Sequence, residues 1–151
     1  MPLPETTLEL TTYSPGWRHR FGPLSLSVAE IKAYAAVVDP QPVHLDEAYA
    51  QTTRFGGLIA SGLQPYSKYH AQFWVPLTAQ TFICGISIEG AQFAKPVYPD
   101  QPFWGELSIT DTTPKPEKGT VIVGWLWVFT DEAGVELQRV GYHSYHKLLT
   151  T

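Results

Sequence analysis

Apolar residues recur with helical spacing in the first half of the chain and alternate with polar residues in the second half. The first predicted helix begins with the capping-box spacing of Ser27 and Glu30. Leu26 and Ile31 can pack across this box as a hydrophobic staple. Pro40 ends the helix, because a proline disfavours the helical conformation of the residue before it. The apolar positions that share one face of this helix are Val28, Ile31, Ala35 and Val38.

Two further helices are predicted before the strands begin. A short helix starts at Asp46, whose carboxylate can cap it, and ends before Phe55. A longer helix lies within residues 59–74, where Ser61 and Gln64 again have capping-box spacing. The apolar side of this longer helix is predicted to consist of Leu63, Tyr66, Tyr69 (or His70) and Phe73.

From Thr81 onward the pattern is that of β-strands. Gly85 and Gly90 interrupt the first of them and predict bends or bulges. The segment Thr120–Thr130 is apolar on both faces, which is typical of a central strand that is covered on each side. The predicted strands are Phe82–Phe93, Phe103–Thr110, Thr120–Thr130 and Val135–Leu149, with an earlier one within Trp17–Leu26.

Helices followed by strands with hairpin-length connections indicate an α+β fold, with an antiparallel sheet packed on one long helix. No repeat, linker or low-complexity tract divides the chain, so we expect one domain over residues 1–151. Residues 1–16 are rich in Thr and Pro and are predicted to form an irregular N-terminal arm.

Composition excludes several classes of function. A formal net charge of -4 without a basic stripe argues against nucleic acid as a partner. The single cysteine, Cys84, cannot form an internal disulfide and favours a cytoplasmic location, and the N-terminal residues lack the pattern of a secretion signal. The longest apolar run, Val121–Phe129, is too short to cross a membrane as a helix. The 13% aromatic content suits a subunit interface or an acyl pocket.

Candidate chemistry lies where the first helix ends. Asp39 and His44 are held on a turn that Pro40 and Pro42 make rigid. Their carboxylate and imidazole can therefore bind one water molecule between them, an arrangement suited to acid–base chemistry. Considered singly, Asp39 could bond its own turn and His44 could be structural. No metal site is predicted, because no Cys, His and carboxylate cluster has ligand spacing.

Three segments in order resemble a known family. The first carries Tyr34, Asp39, Pro42, Val43, His44, Asp46 and Ala50, with Val38 and Gln41 where that family usually has Gly and Asn. The second is Arg54–Gly62, and the third is Phe93–Leu107 with its Lys-Pro-Val-Tyr-Pro-Asp run. Together they resemble the MaoC-like dehydratases, the family of (R)-specific enoyl-CoA hydratases with a hotdog fold, in which the sheet wraps the helix.

The resemblance implies a reaction and a set of site residues. Asp39 would be the main base and His44 its partner and proton donor, adding water to a trans-2-enoyl thioester to give the (R)-3-hydroxyacyl product. The backbone N–H of Gly62 would stabilise the oxyanion, although Gly62 could instead only allow close packing of the helix on the sheet. Ser61 stands where the family usually has His, and its side chain is predicted to be an N-cap.

The same resemblance implies no metal or redox cofactor, a coenzyme A or acyl carrier protein thioester as substrate, and a homodimer. Two other functions remain open. A hotdog thioesterase often uses a carboxylate on the long helix, and the absence of Asp and Glu between Gly62 and Trp74 counts against it. A non-catalytic acyl-thioester-binding domain is the other alternative, because Val38, Gln41 and Ser61 differ from the residues that the family usually has at these positions.

Overall fold

A five-stranded antiparallel sheet and a set of short helices make up the fold of the computed structural model, which describes residues 12–149. The strand order in the sheet is β1-β3-β4-β5-β2. The helical elements are α1 Val28–Val38, α2 Pro42–Leu45, α3 Glu47–Gln51, α4 Leu63–Tyr69, the π-helix His70–Trp74 and α5 Val75–Thr78. The strands are β1 Arg18–Leu24, β2 Phe82–Phe93, β3 Phe103–Lys115, β4 Thr120–Asp131 and β5 Glu136–Lys147.

Helix α1 begins with the predicted capping box. The Glu30 N–H donates to Ser27 Oγ at 3.1 Å, and the Ser27 N–H donates to Glu30 Oε2 at 2.8 Å. Ile31 and Ala35 are fully buried, whereas Val38 is 48% exposed. Val38 shares the apolar face of α1 by its spacing but is not buried, because the helix leaves the core in its last turn. The end of α1 consequently projects towards solvent, with Asp39 as its C-cap.

The long helix differs from its prediction at both ends. Gly62 is the N-cap, and no side chain caps α4, so the prediction that Ser61 is an N-cap was wrong. Beyond Tyr69 the π-helix inserts an extra residue per turn and shifts the helical phase. As a result Trp74 is buried, whereas Phe73 is only partly buried. Within residues 12–149 no helix has the length and apolar character needed to cross a bilayer.

Strand β4 is central, as predicted, and pairs with β3 and β5. Inward side chains of β4 and β3 meet helix α4 through aromatic contacts. The ring centroids of Tyr69 on α4 and Phe129 on β4 lie 6.2 Å apart, and those of Tyr69 and Phe103 on β3 lie 5.8 Å apart. The sheet therefore curls around α4. The buried residues of β4 are Val121, Val123, Gly124, Trp125, Trp127 and Phe129. The N-terminal arm was predicted over residues 1–16, and its residues 1–11 lie outside the described part of the chain.

Strand β2 forms an exposed edge of the sheet. In the described part of the chain it pairs with β5 alone, and all of its residues except the partly buried Ser87 are exposed. The register shifts near Gly85 and again beyond Glu89, so the predicted bends are present. This edge carries exposed apolar side chains, namely Phe82, Ile83, Ile86, Ile88 and Phe93. Exposed apolar groups along an unpaired strand mark a surface for association.

A histidine bridge ties this edge strand to the interior of the sheet. Nδ1 of His143 on β5 contacts Oε1 of Glu89 on β2, and Nε2 lies 3.1 Å from Oδ2 of Asp111 on β3. The second contact passes over β4 at Gly124, where a Cβ atom would overlap Asp111. Partial burial alone would lower the pKa of His143. The hydrogen bonds and charges of Asp111 and Glu89 outweigh that effect and raise the pKa above its ordinary 6.5.

Raising the pH is expected to weaken the fold through this bridge. Because the pKa of His143 is raised by folding, its stabilisation is complete below the unfolded value and is lost as pH rises through the folded value. We expect the free energy of unfolding in urea to fall more between about pH 6 and about pH 9 in wild type than in His143→Gln. His19→Gln, an exposed site on β1, is the control. Identical pH dependence of wild type and His143→Gln would contradict the bridge.

Candidate active site

The loop after α1 presents a carboxylate and an imidazole from two consecutive short elements. Asp39 is the C-cap of α1, and its N–H donates to the Ala35 carbonyl at 3.0 Å. The predicted turn contains a further helical turn, α2, which begins at Pro42 and carries His44. Proline suits this first helical position because it lacks only an N–H that would have no helical partner. The two prolines and α2 thus fix the separation of Asp39 and His44.

Asp39 and His44 face each other directly. The Nε2 atom of His44 lies 3.4 Å from Oδ2 of Asp39. On the other side of the ring, Nδ1 lies 2.7 Å from the carbonyl oxygen of Ile59. A carbonyl only accepts hydrogen bonds, so Nδ1 carries a proton and donates it, which directs Nε2 towards Asp39. The pair can therefore hold and pass a proton at Nε2 and at the carboxylate.

Solvent reaches this pair from the carboxylate side. The Asp39 side chain is 31% exposed, whereas that of His44 is 9% exposed. The imidazole is thus held inside the protein, and the carboxylate is open to water and to a substrate. Acid–base catalysis needs a group within hydrogen-bond reach of the bound molecule, and an exposed carboxylate is accessible to one.

Ser61 also contacts the carboxylate. Its hydroxyl donates to Oδ2 of Asp39 at 2.7 Å, and the residue is fully buried. Sequence reasoning missed this contact, because the Ser61–Gln64 spacing is also that of a capping box. The one available signal was the position of Ser61 directly before Gly62 in a segment that resembles the family. Asp46 caps α3 by accepting from the Tyr49 N–H at 3.0 Å, as predicted.

Gly62 follows Ser61 at the start of α4, so its N–H lies at the positive end of the helix dipole. The ring of Phe93 packs onto it, and a Cβ atom at Gly62 would lie 2.9 Å from that ring. The alternative that Gly62 permits close packing thus has direct support, with Phe93 on β2 as the residue that packs there. The role of its N–H as an oxyanion donor stays a prediction.

Tyr69 and His70 on the long helix are packing residues. The ring of His70 stacks on Trp74 with 4.4 Å between centroids, and burial lowers the pKa of His70 to about 4, so the ring is neutral. Burial, together with the charge of Glu30, raises the pKa of Tyr69 to about 12. Neither residue is placed against Asp39 by any hydrogen bond of the described chain.

A groove of about 380 Å³ lies between α1 and α4, and its lining does not include Asp39, His44 or Gly62. It is lined by Glu30, Ala33, Tyr34, Gln64, Ser67 and Lys68. Within residues 12–149 no group of three or more His, Cys, Asp or Glu side chains is arranged to hold a metal ion.

Two sequence comparisons identify relatives. The family sequence model described as "MaoC like domain" matches residues 12–126. The uncharacterized protein YdeM of Bacillus subtilis (strain 168) is 31% identical over 110 residues, which cover 72% of this chain and 77% of that protein.

Solved structures share the fold. The MaoC-like dehydratase from Rhodospirillum rubrum is 27% identical with a TM-score of 0.77, over 91% of this chain and 95% of that one. The R-hydratase PhaJ1 from Pseudomonas aeruginosa is 23% identical with a TM-score of 0.69, over 93% of this chain and 87% of that one. The predicted α+β hotdog fold is thereby confirmed. The chain belongs to the MaoC-like dehydratase family.

Proposed function

We propose that the protein is a hydratase that adds water to a trans-2-enoyl thioester to give the (R)-3-hydroxyacyl thioester, and that it also catalyses the reverse dehydration. The observation that carries the proposal is the 3.4 Å approach of His44 Nε2 to an Asp39 carboxylate that is open to solvent. Membership of the MaoC-like dehydratase family and the R-hydratase activity of the neighbour from Pseudomonas aeruginosa support it.

In the proposed hydration, the Asp39–His44 pair both removes and returns a proton. As the water oxygen bonds to carbon three, Asp39 accepts a proton from that water, and the electrons of the double bond move towards the thioester carbonyl. Carbon two takes a proton from Nε2 of His44, which carries protons on both ring nitrogens at the start of the turnover because Nδ1 donates to the Ile59 carbonyl. Asp39 then releases the proton from water to solvent at its exposed side, and Nε2 of His44, 3.4 Å from Oδ2, regains a proton from solvent, so the pair returns to its starting state.

Negative charge develops on the thioester oxygen during this addition. We assign the Gly62 N–H as the group that stabilises this negative charge, because a backbone N–H at the start of a helix can donate to an oxyanion. The ring of Phe93 against Gly62 would then form one wall beside the thioester.

A hotdog thioesterase is the second candidate function, and residues 63–78 disfavour it because they contain neither Asp nor Glu. Incubation with crotonyl-CoA separates the candidates. Hydration predicts loss of the ultraviolet absorbance of the enoyl thioester without release of free thiol. Release of thiol at the same rate would instead establish a thioesterase, and binding without either change would establish a non-catalytic domain.

We further propose that two copies associate through β2. Within residues 12–149 no strand pairs with the outer edge of β2, and the strand exposes Ile86 (52%) and Ile88 (61%), which a second copy would cover. Phe93 on the same strand packs on Gly62, so this association would also shape the site. The thioester carrier is proposed to be coenzyme A or an acyl carrier protein, and the location the cytoplasm.

A further inference from the structure

We propose that Ser61 is a positioning residue that holds the Asp39 carboxylate so that Oδ1 is the oxygen that accepts the proton from water. The inference rests on the proposed hydratase function and goes beyond it, because Ser61 was expected only to cap a helix. It is based on a 2.7 Å hydrogen bond from a hydroxyl that no solvent reaches.

The two oxygens of Asp39 have different surroundings. Oδ2 accepts from Ser61 Oγ and lies 3.4 Å from His44 Nε2. Among residues 12–149, Oδ1 has no hydrogen-bond partner. The groups that the structure places against this carboxylate are therefore His44 from α2 and Ser61 from the segment before α4. Since both of them meet Oδ2, the lone pairs of Oδ1 remain available to a reacting water.

One short segment supports the whole site. The carbonyl of Ile59 accepts from His44 Nδ1 at 2.7 Å and fixes its tautomer, and Ser61 fixes Asp39. Gly62, the assigned oxyanion donor, follows directly. The segment is itself anchored by the Ala60 N–H, which donates to the Val97 carbonyl at 2.9 Å. Residues 59–62 thus set the relative positions of base, acid and oxyanion donor.

Removing the Ser61 hydroxyl takes away the hydrogen bond to Oδ2. The carboxylate then loses its fixed partner, and it becomes free to rotate about its side-chain torsion. Both changes raise the free energy of the transition state for hydration more than they weaken the binding of substrate. Ser61→Ala is therefore expected to lower kcat about tenfold or more, with KM changed less than about threefold.

Rescue by a conservative variant provides a readout that a merely structural role would not move. Ser61→Thr keeps the hydroxyl and is expected to restore kcat to within about threefold of the wild type. Ser61→Cys, with a weak donor of similar size, is expected to have a kcat between those of the Ala and Thr variants. A KM that rises as much as kcat falls in Ser61→Ala, or equal impairment in the Ala and Thr variants, would overturn the proposal.

A second measurement separates this inference from the proposed function. Carboxyl carbon NMR of protein labelled at aspartate reports the surroundings of the Asp39 carboxylate without any substrate, with Asp39→Asn supplying the assignment. At one fixed pH we expect the Asp39 signal to move in Ser61→Ala and to keep its wild-type position in Ser61→Thr, while the melting temperature confirms that the variants are folded. If the wild type hydrates no enoyl thioester, the function is wrong, and an Asp39 signal unchanged by Ser61→Ala rejects the positioning role independently.

Discussion

Asp39→Asn is expected to lower kcat for hydration of crotonyl-CoA by about 10²- to 10⁴-fold, because an amide of the same shape cannot accept the proton of the attacking water. The substitution keeps an oxygen that can accept from the Ser61 hydroxyl, so the loop and α1 should remain folded. Initial rates from the fall in enoyl absorbance measure the effect, and the melting temperature tests the fold.

Asp46→Asn is the matched control for this experiment. It makes the same chemical change on the same loop, and Asn retains the cap on the Tyr49 N–H because Asn and Asp are similarly good N-caps. We expect its kcat to stay within about twofold of the wild type. Hydration that survives Asp39→Asn unchanged would place the base elsewhere, and equal losses in both variants would point to a general effect of charge.

Placing two lysines on the edge strand is expected to abolish the dimer. In the double variant Ile86→Lys, Ile88→Lys, association through β2 would bury the lysine charges and place like charges next to each other. Natural edge strands carry lysines for the same reason, since such charges prevent pairing with another strand. We expect the dimer dissociation constant to rise by about 100-fold or more, as about 3 kcal/mol of lost association free energy requires. Analytical ultracentrifugation over a dilution series measures it.

The control is the double variant Ile86→Leu, Ile88→Leu, which preserves the apolar surface and is expected to remain dimeric. Because Phe93 links β2 to Gly62, the lysine variant is also expected to lose hydratase activity along with the dimer. A wild-type protein that is monomeric and fully active at micromolar concentration would reject this interface.

Local sequence signals were sufficient for much of the fold. The capping box of Ser27 and Glu30 acts within one helical turn, so its spacing alone located the start of α1. Strand β4 was recognisable as the central strand because its run of apolar residues is almost uninterrupted, although one of its faces is buried and the other is only partly covered. The Asp39–His44 approach depends on a rigid loop of a few residues, and its spacing was legible for the same reason.

Features that depend on tertiary contacts could not be predicted from the sequence. Ser61 satisfies the spacing of a capping box, yet it donates to Asp39, which lies 22 residues earlier in the chain. Nothing in the local pattern distinguishes these two partners. The π-helix at His70 likewise changes which residue is buried after it, and its inserted residue has no local spacing signature. The contact of His143 with Asp111 required both the register of three strands and the absence of a side chain at Gly124.

The two prolines around Gln41 have a consequence for how the protein responds to heat. A loop with so few accessible backbone states, tied by His44 to Ile59 and by Asp39 to Ser61, has little freedom to melt ahead of the domain. Hydratase activity and tertiary structure should therefore be lost at the same temperature, in a single cooperative transition. No temperature range is expected in which the protein is folded but inactive.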